Sequence, residues 1–115
     1  MKILFDQGTP VPLRRSLGGH EISTAFERGW GNMKNGELLS AAEADGFEAI
    51  ITTDQNLKYQ QNLAERRMAI LVLMTTDWRS IRPHVGIVSA AVEALHPGTY
   101  RELVFPPHTE DSKII

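Results

Sequence analysis

Apolar residues in this chain gather in short continuous runs, each closed by a polar residue or a turn former. In Lys2 to Phe5 the residues Ile3, Leu4 and Phe5 are consecutive, the pattern of a strand buried on both faces of a parallel sheet, and the run stops at Asp6. Gln7-Gly8-Thr9-Pro10 is turn chemistry, after which Pro10 or Pro12 suits the first turn of a helix carrying Val11, Leu13, Arg14 and Leu17, ended by Gly18-Gly19. The β-branched content of His20 to Ala25 predicts a second strand. Phe26 to Asn35 reads as an irregular loop with Trp30 docked on the core.

From Gly36 to Asp45, Leu38, Leu39, Ala41, Ala42 and Ala44 favour a helix, with Asn35 as N-cap and Gly46 at the C-cap. Phe47 to Thr53, centred on Ala49-Ile50-Ile51-Thr52, is the clearest buried strand and ends at Asp54. A short helix over Leu57 to Arg66, with Tyr59 and Leu63 inward, leads to a fourth strand, Met68 to Met74, followed by Thr75, Thr76 and Asp77. Ser80 to Leu95 places Ile81, Val85, Val88, Val92 and Leu95 at helical intervals, with Pro83 tolerable in a first turn. After Pro97-Gly98, Tyr100 to Phe105 is an edge strand. This alternation predicts an α/β fold: a three-layer α/β/α arrangement around a central, mainly parallel sheet of four to five strands, joined by right-handed crossovers. Residues 1–105 form the single domain and 106–115 a flexible polar tail.

Composition narrows the chemistry. The chain has 115 residues, enough for one core, and it has no cysteine, which excludes disulfides, thiol nucleophiles and thiolate metal sites. No apolar run approaches the roughly 18 residues of a membrane span and the N-terminus lacks a secretory layout, so the expectation is a cytoplasmic protein with no membrane partner. The formal charge of −2 makes the molecule as a whole no electrostatic magnet for nucleic acid. Substrate contacts would fall to scattered bases, among Arg14, Arg15, Lys34, Arg66, Arg67, Arg79 and Arg82, each equally explained as ordinary solvated surface. His20, His84, His96 and His108 lack metal-ligand spacing. Trp30 suits the core, and Trp78 suits the core or the stacking of a base.

In parallel α/β sheets function gathers beyond the carboxyl ends of the strands, where Asp6, Asp54 and Asp77 all lie. Asp6 and Asp54 each follow a buried strand, and neighbouring strands would bring their like charges together at a cost that a divalent cation relieves. Oxygen ligands without histidine or cysteine suit Mg²⁺ or Mn²⁺. Glu37, near a helix N-terminus, could be aimed at the same ion or could simply compensate the helix dipole. Taken singly, Asp6 and Asp54 are equally well turn or capping residues.

Three blocks carry a resemblance: Lys2-Ile3-Leu4-Phe5-Asp6-Gln7-Gly8-Thr9-Pro10, Asn35-Gly36-Glu37-Leu38-Leu39 and Ile50-Ile51-Thr52-Thr53-Asp54-Gln55-Asn56-Leu57. In order and separation they resemble the signature blocks of a compact PIN-like family, over about the first 75 residues. The resemblance implies a PIN-like fold, a metal-dependent ribonuclease lineage and often the toxin role in a toxin–antitoxin pair, with an antitoxin protein as partner. It puts Asp6, Glu37 and Asp54 on the acidic, metal-binding and catalytic positions. Gln7 stands where members usually carry a second acid, and Asn56 or Asp77 would fill a fourth acidic position. The implied reaction is hydrolysis of an RNA phosphodiester by a metal-activated water. PIN-like proteins often pair, and the edge at Tyr100 to Phe105 offers one route to a homodimer.

Two other classes fit parts of the pattern. A non-catalytic PIN-like binding module with a degenerate acidic site would explain Gln7 and the missing fourth acid. A receiver-like phosphoacceptor domain would use Asp54, Asp6 and Thr75 or Thr76, but Gln7 supplies no paired acid and no lysine directly follows Tyr100 to Phe105.

Overall fold

The structure, a computed structural model, describes residues 1–57 and 66–106. The helix expected over Leu57 to Arg66 and the polar tail therefore lie almost wholly outside the described residues. The strands are β1 (Lys2–Phe5), β2 (Glu21–Thr24), β3 (Ala49–Thr52), β4 (Ala69–Leu73) and β5 (Tyr100–Leu103). They form one all-parallel sheet in the order β2-β1-β3-β4-β5. The described helices are α1 (Asn35–Ala44), α2 (Trp78–Ile81) and α3 (Val85–Glu93), with 3-10 turns at Val11–Ser16 and Arg82–His84. No helix among the described residues is long and apolar enough to cross a membrane.

The continuous apolar runs are strands because the sheet is covered on both sides. Alternate residues serve opposite faces. Ile3, Phe5, Ile51 and Leu71 pack with Leu13, Leu17, Val88 and Val92 on one face, and Leu4, Ile50, Ile70 and Val72 pack with Leu38, Leu39, Ala42 and Phe47 on the other. Each fully buried Leu or Ile contributes roughly 1.5–3 kcal/mol, which holds β1, β3 and β4 in the interior of the sheet. Trp30 packs against the second face, its ring edge-on to Phe47 at 5.9 Å, and Trp78 packs against the first.

Helix ends and winding depart from expectation. The N-cap of α1 is Lys34, which makes no side-chain capping bond, and Asn35 is already the first helical residue. Its C-terminus closes in a Schellman motif: Gly46 at φ +86° donates to the Glu43 carbonyl at 3.1 Å and Phe47 to the Ala42 carbonyl at 3.0 Å. The helix expected over Ser80 to Leu95 starts earlier, at Trp78, so Pro83 falls beyond its first turn; lacking an N–H, the proline tightens the chain into the Arg82–His84 3-10 turn between α2 and α3.

The connections β2–β3 through α1 and β4–β5 through α3 step the same way along the sheet, yet α1 and α3 lie on opposite faces. Two such crossovers cannot share a hand, so uniform right-handed winding does not hold. Burial gives the reason. The β1–β2 connection supplies its face with only the Val11–Ser16 turn, and α3 packs beside that turn to cover the remaining apolar surface.

Candidate acidic site at the carboxyl edge of the sheet

The chain leaves β1 for β2 on one side and returns to β3 on the other, so the strand order reverses between β1 and β3. Such a reversal opens a crevice beyond the strand ends, because the flanking connections diverge to opposite faces. Register sets what stands there. Phe5 pairs with Ile51, so Asp6 is level with Thr52, and Asp54 lies two residues further on.

Asp6 is held from three directions. Its own N–H donates to the Ile51 carbonyl at 3.0 Å, its Oδ1 accepts from the Gln7 N–H at 2.8 Å, and its Oδ2 accepts from the Thr52 hydroxyl at 2.8 Å. Thr52 is fully buried, and its Oγ1 in turn accepts the Asp54 N–H at 3.1 Å. A hydroxyl has one proton; with that proton given to the Asp6 carboxylate and a lone pair to the Asp54 N–H, Thr52 fixes the Asp6 side chain and the Asp54 backbone at once. Asp54 Oδ1 accepts the Asn56 N–H at 3.0 Å, an Asx turn that leads the chain away from the sheet. Burial is the main influence on Asp6 and raises its pKa above that of an ordinary aspartate; the Thr52 and Gln7 hydrogen bonds pull the other way, and the charge of Asp54 adds to the rise.

The turn after β1 depends on Gly8. Its φ is +90°, and a Cβ there would stand 2.7 Å from Thr53 Oγ1. The Thr9 N–H closes the turn on the Asp6 carbonyl at 3.1 Å, and the buried Thr9 hydroxyl donates to the Ile51 carbonyl at 2.9 Å.

Of the acids singled out from sequence, the structure brings Asp6 and Asp54 together. Glu37 does not join them: it is exposed on the first turn of α1, whose neighbouring Leu38 and Leu39 face the core. Among the described residues no three His, Asp or Glu side chains gather closely enough to hold a metal ion. Asp77 is the N-cap of α2, accepting from the Arg79 N–H at 3.0 Å and the Ser80 hydroxyl at 3.2 Å. Partial desolvation works against its charge, but those hydrogen bonds and the Arg79 guanidinium outweigh it and hold its pKa below the usual carboxylate range. Asn56 and Gln7 are exposed beside the pair. Of the bases, Arg14 pairs with Glu27, Arg66 with Glu43 and Arg79 with Asp77. His20 Nε2 lies 2.7 Å from Glu93 Oε1 and ties the start of β2 to α3.

No protein-family model, curated protein or solved structure matches the chain. The three sequence blocks alone carry the PIN-like resemblance.

Sequence reasoning passed over Thr52. Its signal is a hydroxyl closing an otherwise apolar strand two residues before an aspartate, which gains meaning only once β1 lies beside β3.

Proposed function

We propose that the chain is a PIN-like, metal-dependent ribonuclease whose centre is the Asp6–Asp54 pair. The observation that supports this most is a half-buried Asp6 carboxylate, oriented by Thr52 and next to the Asp54 charge, at the switch point of a parallel sheet. Two carboxylates brought together with partial desolvation repel, and a cation removes that repulsion. The donor set fits one hydrated Mg²⁺ or Mn²⁺: such ions take one or two carboxylates and keep several waters. Each Asp6 oxygen spends one acceptor position on the protein and retains another. The pair does not fit a two-metal centre, which needs more negative charge than these two acids bring.

A bound ion would lower the pKa of a coordinated water and offset charge on the phosphoryl oxygens. The chain's own part is to hold Asp6 and Asp54 as acceptors, with the Thr52 hydroxyl bonded to the Asp6 carboxylate and the Asn56 N–H to that of Asp54. Glu37, exposed on α1, is left in this reading a role outside the first ligands, such as a hydrogen bond to a water. An antitoxin partner and a homodimer through the β5 edge belong to the same proposal.

The second reading is a binding module without catalysis. It is favoured by Gln7 in place of a second acid and by the lack, among the described residues, of a third acid gathered with the pair. The receiver-like reading loses ground on topology, because uniform right-handed winding would put α3 on the face of α1.

The deciding experiment incubates single-stranded RNA with the protein in Mg²⁺, in Mn²⁺ and in EDTA, beside Asp6→Asn and Asp54→Asn. Cleavage that needs metal and both aspartates supports the nuclease; RNA retained without cleavage under every condition selects the binding module.

A further inference from the structure

We infer that the cavity of about 430 Å³ between the ends of β1 and β2 is a subsite for one unpaired nucleobase, placed so that the attached backbone runs past Asp6. The inference rests on the ribonuclease reading for the identity of its ligand. Its floor is mainly apolar, made by the buried Phe5 and Ala25 with the buried Thr9. One wall is Asp6 and Gln7, and the rim is Val11 and Phe26, which are 54% and 79% exposed.

An aromatic ring so exposed loses the free energy of burial, roughly 1.5–3 kcal/mol, and here the loop holds it outward rather than letting it fold back. Thr24 and Glu27 bond reciprocally, the Thr24 N–H to Glu27 Oε1 at 2.9 Å and the Glu27 N–H to Thr24 Oγ1 at 3.0 Å. The Ala25 N–H donates to the Phe5 carbonyl at 2.8 Å, and the Trp30 N–H to the Ala25 carbonyl at 2.8 Å. Phe26 is therefore presented on a tethered turn, a preorganised face whose ordering cost is met before any ligand arrives.

Charge selects the occupant. The lining carries two carboxylates, Asp6 and Glu27, and Glu27 is tied at 2.6 Å to Arg14, which stands outside the lining. A phosphate would meet net negative charge there, whereas a flat, uncharged base can stack on Phe26 above a mainly apolar floor. The Gln7 amide has the donor and acceptor needed for a base edge. On this view Gln7, where the resembled family carries an acid, belongs to substrate binding.

The test is fluorescence anisotropy with a labelled eight-nucleotide RNA in EDTA, where metal-dependent cleavage is silent, comparing the native chain with Phe26→Ala and Phe26→Trp. Stacking worth about 1–3 kcal/mol per base converts to a loss of roughly 5- to 150-fold in affinity for Phe26→Ala. Phe26→Trp should bind within about threefold of native, with its indole emission quenched by the base. An abasic oligomer of the same length should bind as weakly as the RNA binds Phe26→Ala. Because the ring is exposed, both variants should melt with the native chain. Equal affinity of Phe26→Ala and native protein, equal affinity for the abasic oligomer, or no binding of any oligomer overturns the subsite. Phe26-dependent binding without cleavage in Mg²⁺ or Mn²⁺ leaves the subsite standing and removes the nuclease reading instead.

Discussion

Thr52→Val isolates the bond that organises the acidic pair, because valine keeps the shape of threonine and removes only its hydroxyl. The native hydroxyl donates to Asp6 Oδ2 at 2.8 Å and accepts the Asp54 N–H at 3.1 Å from a fully buried position. A hydrogen bond to a charged group contributes about 1.5–3 kcal/mol and a neutral one about 1 kcal/mol. The added methyl, buried in an apolar strand, returns about 1 kcal/mol. The net loss is then about 2 kcal/mol. At roughly 2.1 cal/mol/K per residue, a chain of 115 residues has an unfolding entropy of about 240 cal/mol/K, so Tm should fall by about 8 °C. Melting followed by circular dichroism in EDTA at neutral pH reads this directly. Thr52→Ser keeps the hydroxyl and should lose only the methyl, about 1 kcal/mol. The valine penalty should shrink on acidification, starting above the ordinary aspartate range because the Asp6 pKa is raised, since a protonated carboxyl accepts a weaker bond. A Thr52→Val protein melting within about 2 °C of native, at a pH where Asp6 is ionised, would refute the reasoning.

Three further outcomes follow from the same geometry. Burial and the nearby Asp54 raise Asp6, so its contribution to stability is full below the unfolded pKa and is lost as pH rises through the folded one; Asp6→Asn removes this titration. Urea midpoints should show native protein losing ground to the variant between acid and neutral pH, with Mg²⁺ restoring only the native chain, and parallel pH curves would contradict it. Gly8→Ala should cost roughly 2–3 kcal/mol, about 1–2 from the left-handed backbone and the rest from the contact with Thr53 Oγ1; Gly8→Ala with Thr53→Ala should recover only the contact portion in the same urea titration. Asp77→Ala should lower Tm at neutral pH and leave the Mg²⁺ response untouched. Because Asp77 titrates below the usual range in the folded state, the native advantage should vanish as pH falls through that lowered pKa, and an altered metal response would give Asp77 a part in the site after all.

Local pattern was sufficient wherever burial is continuous. Ile3 to Phe5, Ala49 to Thr52 and Ala69 to Leu73 are strands because side chains on both faces leave water, and no helix of three to five residues could bury them so fully. The punctuation was legible for a similar reason: glycine at φ +90° or +86° answers a backbone demand made within a few residues. The same holds for Asp6 and Asp54 as ends of strands, which are local facts.

What they face was settled at longer range. That β1 lies between β2 and β3, that Phe5 pairs with Ile51 and that Thr52 therefore reaches Asp6 depend on residues about 46 positions apart in the chain. Spacing along a sequence carries no register between distant strands. Glu37 shows the converse. Its place in a signature block is a linear property, but the direction of its side chain follows from Leu38 and Leu39 seeking the core, which turns Glu37 to solvent. The opposite hand of the β4–β5 crossover likewise arises from how much apolar surface each face still had to cover, a quantity that exists only once the sheet has assembled.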